Sequence, residues 1–251
     1  AACQELHYQY YKEVNSKKII IGYDRRFMAC EFAKQIVPFV RGCGFEPILS
    51  DSFVTTPSCS FYAKEVGCLG ALVITASHNP YNWLGLKIKS FNGCSVDESF
   101  TSEVEKRLML GNSIEKIDGV NQLVDIKKFH LDRIKSLFDI DYISKRLKKM
   151  KLRIFVDSMH GSAANCMAEI FASNDLEVIS EIRKDADPFF GGKPPEPLLN
   201  YADDLKQTLM KNSTNEVKTL GIIFDGDGDR IAAIDEKGRY SSTQDLLPYF
   251  I

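Results

Sequence analysis

An acidic loop near the carboxyl end of the chain carries the clearest chemical signal. The segment FDGDGDR at residues 224–230 places Asp225, Asp227 and Asp229 at alternate positions, with glycines between them. Alternate residues of an extended segment point to the same side, so the three carboxylates should lie together. Like charges about 4 Å apart repel by about 4 kcal/mol at the effective dielectric of a protein surface. We therefore predict a bound cation, and oxygen ligands favour Mg²⁺, Ca²⁺ or Mn²⁺ over zinc.

Two other interpretations of the acidic loop stay open. With Asp225 as position one, Asp227, Asp229 and Glu236 fit the third, fifth and twelfth positions of an EF-hand calcium loop. The sixth position of such a loop must be glycine, and here it is Arg230. The neighbouring segments also resemble strands, whereas an EF-hand has helices on both sides. The second alternative is a solvated acidic turn that binds no metal.

A serine loop, TASHNP at residues 75–80, is the second candidate site. It follows an apolar segment that predicts a buried strand, and ligands gather at the carboxyl ends of strands in open α/β sheets. Ser77 in that position can act as a nucleophile. The adjacent His78 suggests a hydrolase triad, but neighbouring side chains of an extended segment point in opposite directions, and no Gly-x-Ser-x-Gly elbow is present. A polar turn around Asn79-Pro80 is the alternative.

Basic residues give weaker signals at three places. Arg25 and Arg26 follow the first predicted strand, and guanidinium groups are suited to holding phosphate. Lys87 lies ten residues after Ser77 and by itself would be an ordinary strand lysine. The run of lysines and arginines at residues 144–153 favours a solvated helix end or a linker over a phosphate-binding patch.

The apolar periodicity predicts elements that would position these loops. The first half predicts strands at residues 18–24, 46–50, 69–76 and 86–91 and helices at residues 4–14, 31–41, 57–66 and 100–110. The second half predicts strands at residues 152–157, 176–182, 219–224 and 231–235 and helices at residues 162–173 and 198–211. Alternating strands and helices predict two consecutive α/β domains with mixed, largely parallel sheets flanked by helices, at residues 1–144 and 145–251.

Composition excludes several classes of protein. The net charge of −2 excludes a broadly basic nucleic-acid binder, and 44% hydrophobic residues exclude a disordered chain. The seven scattered cysteines form no Cys-x-x-Cys pair, which argues against a zinc ribbon or a disulfide framework and for reduced thiols in the cytoplasm. The longest apolar run is far shorter than the ~20 residues of a membrane span. We expect neither nucleic acid nor membrane as a partner.

Four segments taken together resemble the α-D-phosphohexomutase family, which includes phosphoglucomutase/phosphomannomutases and phosphoglucosamine mutases. They are residues 75–80, 85–88 and 225–230 and the segment DPFFGGKPPEP at residues 187–197. The MHGS turn at residues 159–162 is similar to the turn that opens the family's second domain. The resemblance extends over nearly the whole chain, in the family's order. Thr75 before Ala76 favours the phosphoglucomutase/phosphomannomutase branch.

The resemblance implies roles for both loops. Ser77 matches the serine that is phosphorylated in the resting enzyme. Asp225, Asp227 and Asp229 match the ligands of one Mg²⁺, and a phosphate oxygen on Ser77 completes the set. Arg230 matches the arginine beside the metal loop, where it serves catalysis and substrate binding.

The resemblance also assigns the residues that flank the phosphoserine. Arg26 and Lys87 match positions that assist proton and charge transfer, with Lys87 also contacting substrate. His78 and Asn79 shape the serine loop, His78 as a catalytic and Asn79 as a substrate-binding residue. Phosphoserine and three aspartates bring a charge of about −5, and Mg²⁺ with Arg26, Lys87 and Arg230 brings +5, so the site is balanced.

The implied reaction interconverts hexose 1-phosphate and hexose 6-phosphate. Phosphoserine donates its phosphoryl group to the sugar, and the hexose 1,6-bisphosphate that forms returns its other phosphate to the serine. Phosphoryl transfer of this kind depends mostly on positioning and charge neutralisation.

The chain matches only part of the family pattern. The resemblance covers only the first two of the family's usual four domains, and the sugar loop of domain III and the phosphate loop of domain IV have no counterpart. Together with the apolar segment at residues 246–251, this leads us to expect a fragment that carries the catalytic half, is inactive by itself as a mutase, and has the missing domains as partners. The alternative is a two-domain protein that binds metal or sugar phosphate without turnover, or a phosphatase-like protein.

Overall fold

The computed structural model describes residues 1–111, 113–171 and 178–249. The chain forms two compact units, one made of residues 1–75 and 84–130 and the other of residues 76–83 and 131–251. The domain boundary that the sequence predicts between residues 144 and 145 stays a prediction. Within the described ranges, every helix is too short or too polar to cross a lipid bilayer.

The first unit contains a five-stranded sheet between helices. Its strands are β1 (Lys18–Tyr23), β2 (Glu46–Ser50), β3 (Gly70–Ile74), β4 (Leu86–Ser90) and β5 (Gln122–Val124). Its helices are α1 (Ala2–Val14), α2 (Ala29–Gly42), α3 (Thr56–Glu65) and α4 (Glu98–Met109), and the chain leaves the unit within α5 (Ile126–Leu137). The strand order is β4-β3-β1-β2-β5, parallel except for the β3–β4 pair.

Both faces of the first sheet are covered by apolar side chains. Along β1, Ile19 and Ile21 belong to one buried cluster and Ile20 belongs to another. Because successive side chains of a strand point to opposite faces, a strand buried on both faces needs a continuous apolar run. All five residues of β3 are buried, which confirms the buried strand predicted there.

The second unit repeats the architecture. Its strands are β6 (Leu152–Asp157), β7 (Ile179–Ile182), β8 (Lys218–Phe224), β9 (Ile231–Asp235) and β10 (Tyr240–Ser241). Its further helices are α6 (Ile140–Lys149), α7 (Cys166–Phe171), α8 (Asp203–Asn212) and α9 (Thr243–Leu246), with 3-10 turns at Phe190–Gly192, Leu199–Tyr201 and Leu247–Tyr249. The order is β10-β9-β8-β6-β7, parallel around β6 and antiparallel from β8 to β10. The predicted fold class, two α/β domains with mixed and largely parallel sheets, is confirmed.

Several predicted elements differ from the structure. The helix expected at residues 198–211 is a 3-10 turn followed by α8. The Tyr201 carbonyl accepts a hydrogen bond from Arg183 instead of one from a following helical turn. Helix α8 then begins at Asp203 and Asp204, whose negative charges are favourable in the first turn of a helix. The helix expected at residues 162–173 starts only at Cys166, and residues 172 and 173 lie outside the described residues. The strand expected at residues 176–182 covers Ile179–Ile182, and residues 176 and 177 lie outside them too.

Two helices, α5 and α6, occupy the part of the chain around the predicted domain boundary. The apolar periodicity predicts neither α5 nor α6, because basic residues interrupt the apolar faces of both helices. Leu131 and Leu147 belong to a buried cluster of the second unit. The end of α6 carries Arg146, Lys148 and Lys149, so the basic run begins as a helix end, and continues into β6. The seven cysteines are free thiols in the structure.

Candidate active site

The acidic loop follows β8, at the carboxyl end of a strand that is parallel to β6. One carboxylate oxygen from each of Asp225, Asp227 and Asp229 lies within 4.8 Å of the others. Asp225 and Asp227 are fully buried, whereas Asp229 is exposed. The predicted cluster of three carboxylates is therefore present in the structure, and a set of three oxygen donors fits a hard divalent cation such as Mg²⁺.

Asp225 is the structural centre of the acidic loop. Its Oδ1 accepts hydrogen bonds from the backbone N–H groups of Asp229 at 2.9 Å and Arg230 at 3.1 Å, so the loop is wrapped around this carboxyl. Burial, followed by repulsion from Asp227 and Asp229, raises the pKa of Asp225 from 3.8 to about 8. The carboxylates of such a cluster repel one another, and a cation would remove the repulsion.

Ser77 lies directly against the acidic loop, although 148 residues separate it from Asp225 in the sequence. Its Oγ donates a hydrogen bond of 2.9 Å to Asp225 Oδ2, and both residues belong to the second unit. Ser77 has a φ of 51°, in the left-handed region that costs a non-glycine residue about 1–3 kcal/mol. A turn in which the Asn79 N–H donates to the Ala76 carbonyl at 3.0 Å supports this conformation.

Gly226 permits the close approach of the two loops. A Cβ at this position would lie 2.6 Å from the Ser77 carbonyl oxygen and 2.9 Å from Pro195 Cγ. The Gly226 N–H donates to the Pro195 carbonyl at 3.1 Å, and its own carbonyl accepts from the Ser162 N–H at 2.9 Å. The backbone at Gly226 is therefore held from three sides, and no side chain fits there.

Gly226→Ala should separate the serine loop from the acidic loop. We expect the free energy of unfolding to fall by about 1–3 kcal/mol, because backbone rather than a flexible side chain must move. Affinity for Mg²⁺ should fall by about tenfold, since the ligands of a metal site depend on their supporting contacts. Thermal unfolding and titration calorimetry measure the two effects. Gly119→Ala is the matched control, because its Cβ would meet nothing closer than 3.5 Å; equal effects of the two variants would contradict the prediction.

Asp225 should make the metal-free chain less stable as the pH rises. Its pKa is about 8 in the folded chain and 3.8 as the ordinary value, so the unfolded chain releases this proton first. The stability that the protonated Asp225 carboxyl gives to the folded chain is therefore fully present below pH 3.8, and it is lost as the pH rises through about 8. In EDTA, Asp225→Asn should raise the denaturation midpoint more at about pH 9 than at about pH 5.

The control for this pH effect is Asp141→Asn, which changes an exposed aspartate in the first turn of α6. Its stability curve should run parallel to that of the wild-type chain at every pH. A curve for Asp225→Asn that also runs parallel to the wild type would show that the buried carboxyl causes no pH-dependent loss.

Glu196 is a site residue that the sequence interpretation missed. Its Oε1 lies 3.5 Å from Arg230 Nη1 and 4.0 Å from His78 Nε2. Glu196 thus connects the residue after Ser77 with the residue after Asp229. The PEP tripeptide at residues 195–197 belongs to the family resemblance, but nothing in its spacing indicates that its carboxylate reaches both loops.

The remaining predicted residues occupy defined places. His78 and Asn79 are half-buried in the serine loop. Arg26 and Lys87 belong to the first unit, Arg26 after β1 and Lys87 on β4 opposite Val73. The roles of Arg26 and Lys87 beside the phosphoserine stay predictions.

Arg26 is held within a buried polar network of the first unit. Its Nε lies 3.2 Å from Asp24 Oδ2, and its backbone N–H donates to Asp24 Oδ1 at 2.9 Å. Thr75 Oγ1 donates to the same Asp24 carboxylate at 2.7 Å. Asp24, the residue that follows β1, is therefore connected to Thr75, which follows β3 and lies two residues before Ser77.

The fold and the site define an α/β protein in which a serine hydroxyl is held at a buried carboxylate cluster. The protein-family model described as "Phosphoglucomutase/phosphomannomutase, alpha/beta/alpha domain I" matches residues 2–113 of the chain. The family model described as "Phosphoglucomutase/phosphomannomutase, alpha/beta/alpha domain II" matches residues 128–238. The chain belongs to the phosphoglucomutase/phosphomannomutase family, as its loops predicted.

The names of related proteins refer to more than one sugar. A "probable phosphoglucosamine mutase" of Methanothermobacter thermautotrophicus is 28% identical over 238 residues, which cover 92% of this chain and 49% of that protein. Phosphoglucomutase 1 of Drosophila melanogaster is 27% identical, over 91% of this chain and 46% of that protein. The chain spans about half the length of the curated relatives it matches. Because both names occur, the preference for one branch drawn from Thr75 stays a prediction.

A solved structure shows the same fold. A phosphoglucomutase/phosphomannomutase family protein from Burkholderia thailandensis superimposes with a TM-score of 0.75 at 22% identity. The match covers 95% of this chain and 51% of that one.

Proposed function

We propose that this chain carries the phosphoserine half of a phosphohexomutase, which interconverts hexose 1-phosphate and hexose 6-phosphate. The hydrogen bond from Ser77 Oγ to Asp225 carries the proposal, because it joins the candidate phosphoryl acceptor to the candidate metal loop. Asp225, Asp227 and Asp229 would hold Mg²⁺, which when bound neutralises charge on the transferred phosphoryl group. Family membership supports the reaction type.

In the proposed reaction, each transfer makes one phosphorus–oxygen bond and breaks another. A hexose hydroxyl oxygen attacks the phosphorus of phospho-Ser77, the bond from phosphorus to Ser77 Oγ breaks, and the hydroxyl proton passes to a base. In the return step Ser77 Oγ attacks the phosphorus of the other phosphate of the hexose 1,6-bisphosphate, and the bond from that phosphorus to the sugar oxygen breaks. The serine proton passes to a base, and the departing sugar oxygen takes up a proton to become a hydroxyl. Arg26 and Lys87 are proposed to handle this proton and the accompanying charge, and Arg230 to contact the phosphoryl group.

The loop residues position these groups. His78 and Arg230 both approach Glu196, so the carboxylate of Glu196 connects the serine loop with the acidic loop. The strained backbone at Ser77 directs its hydroxyl toward the acidic loop. Asn79 is proposed to contact substrate from the same turn.

The setting of the reaction completes the proposal. We place domain I of the family at residues 1–144 and domain II at residues 145–251, and we expect domains III and IV to supply the contacts that read the sugar and its distal phosphate. The protein is proposed to be cytoplasmic, with phosphorylated hexose as its partner and neither nucleic acid nor membrane involved.

The test separates phosphoryl uptake from complete turnover. Incubation with glucose 1,6-bisphosphate and Mg²⁺ should add one phosphoryl group to the chain, detected by intact mass. A coupled mutase assay with glucose 1-phosphate or mannose 1-phosphate should give a rate more than about tenfold below that of a full-length relative, because remote binding energy is lacking. No phosphoryl uptake would favour a protein that binds metal or sugar phosphate without turnover.

A further inference from the structure

A buried ion pair lies at the carboxyl end of β6, the strand that pairs with β8 in front of the acidic loop. Arg183 Nε donates a hydrogen bond of 2.8 Å to Asp157 Oδ1, and Arg183 Nη2 donates to Asp157 Oδ2. The side chain of Asp157 is fully buried, and that of Arg183 is 12% exposed. A buried pair of charges gains little net stability, because both charges lose their water. What the pair holds in place is therefore more informative than its contribution to stability.

The ion pair holds the MHGS turn, which follows β6. Asp157 Oδ1 accepts a hydrogen bond from the Met159 N–H at 3.0 Å, and the Arg183 carbonyl accepts one from the His160 N–H at 2.7 Å. The Arg183 guanidinium is itself held, since its Nη2 also donates to the Tyr201 carbonyl at 3.1 Å. Both partners of the pair therefore bind the backbone of the turn, Asp157 through its side chain and Arg183 through its main chain.

The backbone of this region is strained at three residues. Met159, His160 and Arg183 have φ values of 45°, 60° and 47°, all in the left-handed region. Non-glycine residues keep such a conformation only where the surrounding structure over-determines it, and they cluster at functional sites. The three strained residues lie in the two segments that the ion pair joins, so the pair and its hydrogen bonds oppose the relaxation of both segments.

The MHGS turn supports the acidic loop by direct backbone contact. The Ser162 N–H donates to the Gly226 carbonyl at 2.9 Å. A Cβ at Gly161 would lie 2.7 Å from that carbonyl oxygen and 2.9 Å from Gly226 Cα, so the two backbones are in close contact. Gly226 lies between Asp225 and Asp227, two of the three clustered carboxylate residues. A displacement of the turn would therefore move the backbone that joins two of the candidate metal ligands.

We propose that the Asp157–Arg183 ion pair positions the acidic loop and thereby sets the spacing of the Asp225, Asp227 and Asp229 carboxylates for a divalent cation. All five residues belong to the second unit. The two residues of the pair act through the MHGS turn, because both carboxylate oxygens of Asp157 are already engaged by the Arg183 guanidinium. The inference rests on the proposed function in taking Mg²⁺ as the cation.

Arg183→Lys tests the proposal, because lysine keeps the positive charge and loses the two parallel hydrogen bonds of the guanidinium. In titration calorimetry, its affinity for Mg²⁺ should be about tenfold lower than that of the wild-type chain, as for other residues that support metal ligands. Asp157→Asn should lower the affinity at least as much. That variant leaves Arg183 without its counter-charge in a buried place, and Arg183→Lys keeps the test valid if it does not fold.

Asp235→Asn is the matched control. Like Asp157, Asp235 ends a strand, accepts a hydrogen bond from the backbone N–H two residues later and pairs with an arginine, Arg239. It lies at the end of β9 that is remote from the acidic loop. The affinity of this variant for Mg²⁺ should stay within about twofold of the wild-type value.

Hydrogen exchange in EDTA gives a readout that a merely structural ion pair would not move. The Asp229 and Arg230 N–H groups both donate to Asp225 Oδ1. In Arg183→Lys these two amides should exchange about tenfold faster than in the wild-type chain, while the amides in the middle of β8 keep their rates. A pair that served only global stability would instead speed exchange throughout the second unit.

Wild-type affinity for Mg²⁺ in Arg183→Lys, or an equal loss in Asp235→Asn, would overturn the inference. Unchanged exchange of the two loop amides, or uniformly faster exchange across the second unit, would overturn it as well. If Ser77 still takes up phosphate in those cases, the proposed function stands without the ion pair. If the wild-type chain binds no Mg²⁺ but the two loop amides exchange faster in Arg183→Lys, the ion pair positions the loop and the metal part of the proposed function fails.

Discussion

Ser77→Ala should abolish the incorporation of phosphate into the chain. Ser77 Oγ is the hydroxyl that contacts the metal loop, and alanine leaves no oxygen for the phosphoryl group to bond. The expected loss is complete within detection, whereas the fold should survive, because one hydrogen bond contributes only about 1 kcal/mol to stability. Intact mass and peptide mapping, after incubation with glucose 1,6-bisphosphate and Mg²⁺, give the answer.

Ser52→Ala is the control for this substitution, since Ser52 is a loop serine of the first unit whose hydroxyl contacts Asp51. It should take up phosphate as the wild-type chain does. Phosphate on a different serine, with the Ser77 peptide always unmodified, would show that the hydroxyl at the acidic loop is not the acceptor.

Asp227→Asn should weaken the binding of Mg²⁺ by about 100-fold, or about 2.7 kcal/mol. The substitution keeps the size of a fully buried side chain and removes one of three anionic ligands. Opposite charges in contact at a protein surface interact by several kcal/mol, so the loss of one charge dominates over any change in packing. Titration calorimetry measures the affinity.

Two further variants frame the metal experiment. Asp203→Asn changes an exposed aspartate at the start of α8 and should leave Mg²⁺ affinity as in the wild type. Replacement of Asp225, Asp227 and Asp229 together by asparagine should remove measurable binding. Wild-type affinity in that triple variant would mean that the carboxylate cluster does not hold the ion.

Neutralising Asp225 should have opposite consequences for the stability of the fold and for metal binding. In the metal-free chain the buried carboxylates repel one another, so neutralising Asp225 should stabilise the fold while it removes a metal ligand. A cluster that opposes folding in this way is typical of functional sites, where an arrangement is kept for chemistry at a cost in stability. The left-handed backbone at Ser77 belongs to the same class of local strain.

Local sequence by itself determined much of the architecture. The apolar runs of β1 and β3 predicted buried strands, and that of β3 predicted burial on both faces, because side-chain alternation and burial are properties of a few consecutive residues. The alternate aspartates of the acidic loop predicted a carboxylate cluster for the same reason. Helices α5 and α6 escaped prediction, since basic residues interrupt their apolar pattern. Their burial depends on distant core residues, for Ile126 in the first unit and for Leu131 and Leu147 in the second.

Only the tertiary structure decided how distant segments meet. The pairing of Ser77 with Asp225 depends on a chain path of 148 residues, and no spacing rule encodes it. The approach of Glu196 to His78 and Arg230 and the exclusion of a side chain at Gly226 arise from the packing of three loops. Residue types determined which chemistry this chain can perform, and long-range packing determined which of those residues act together, because contacts between distant segments form only once both sheet and loops are in place.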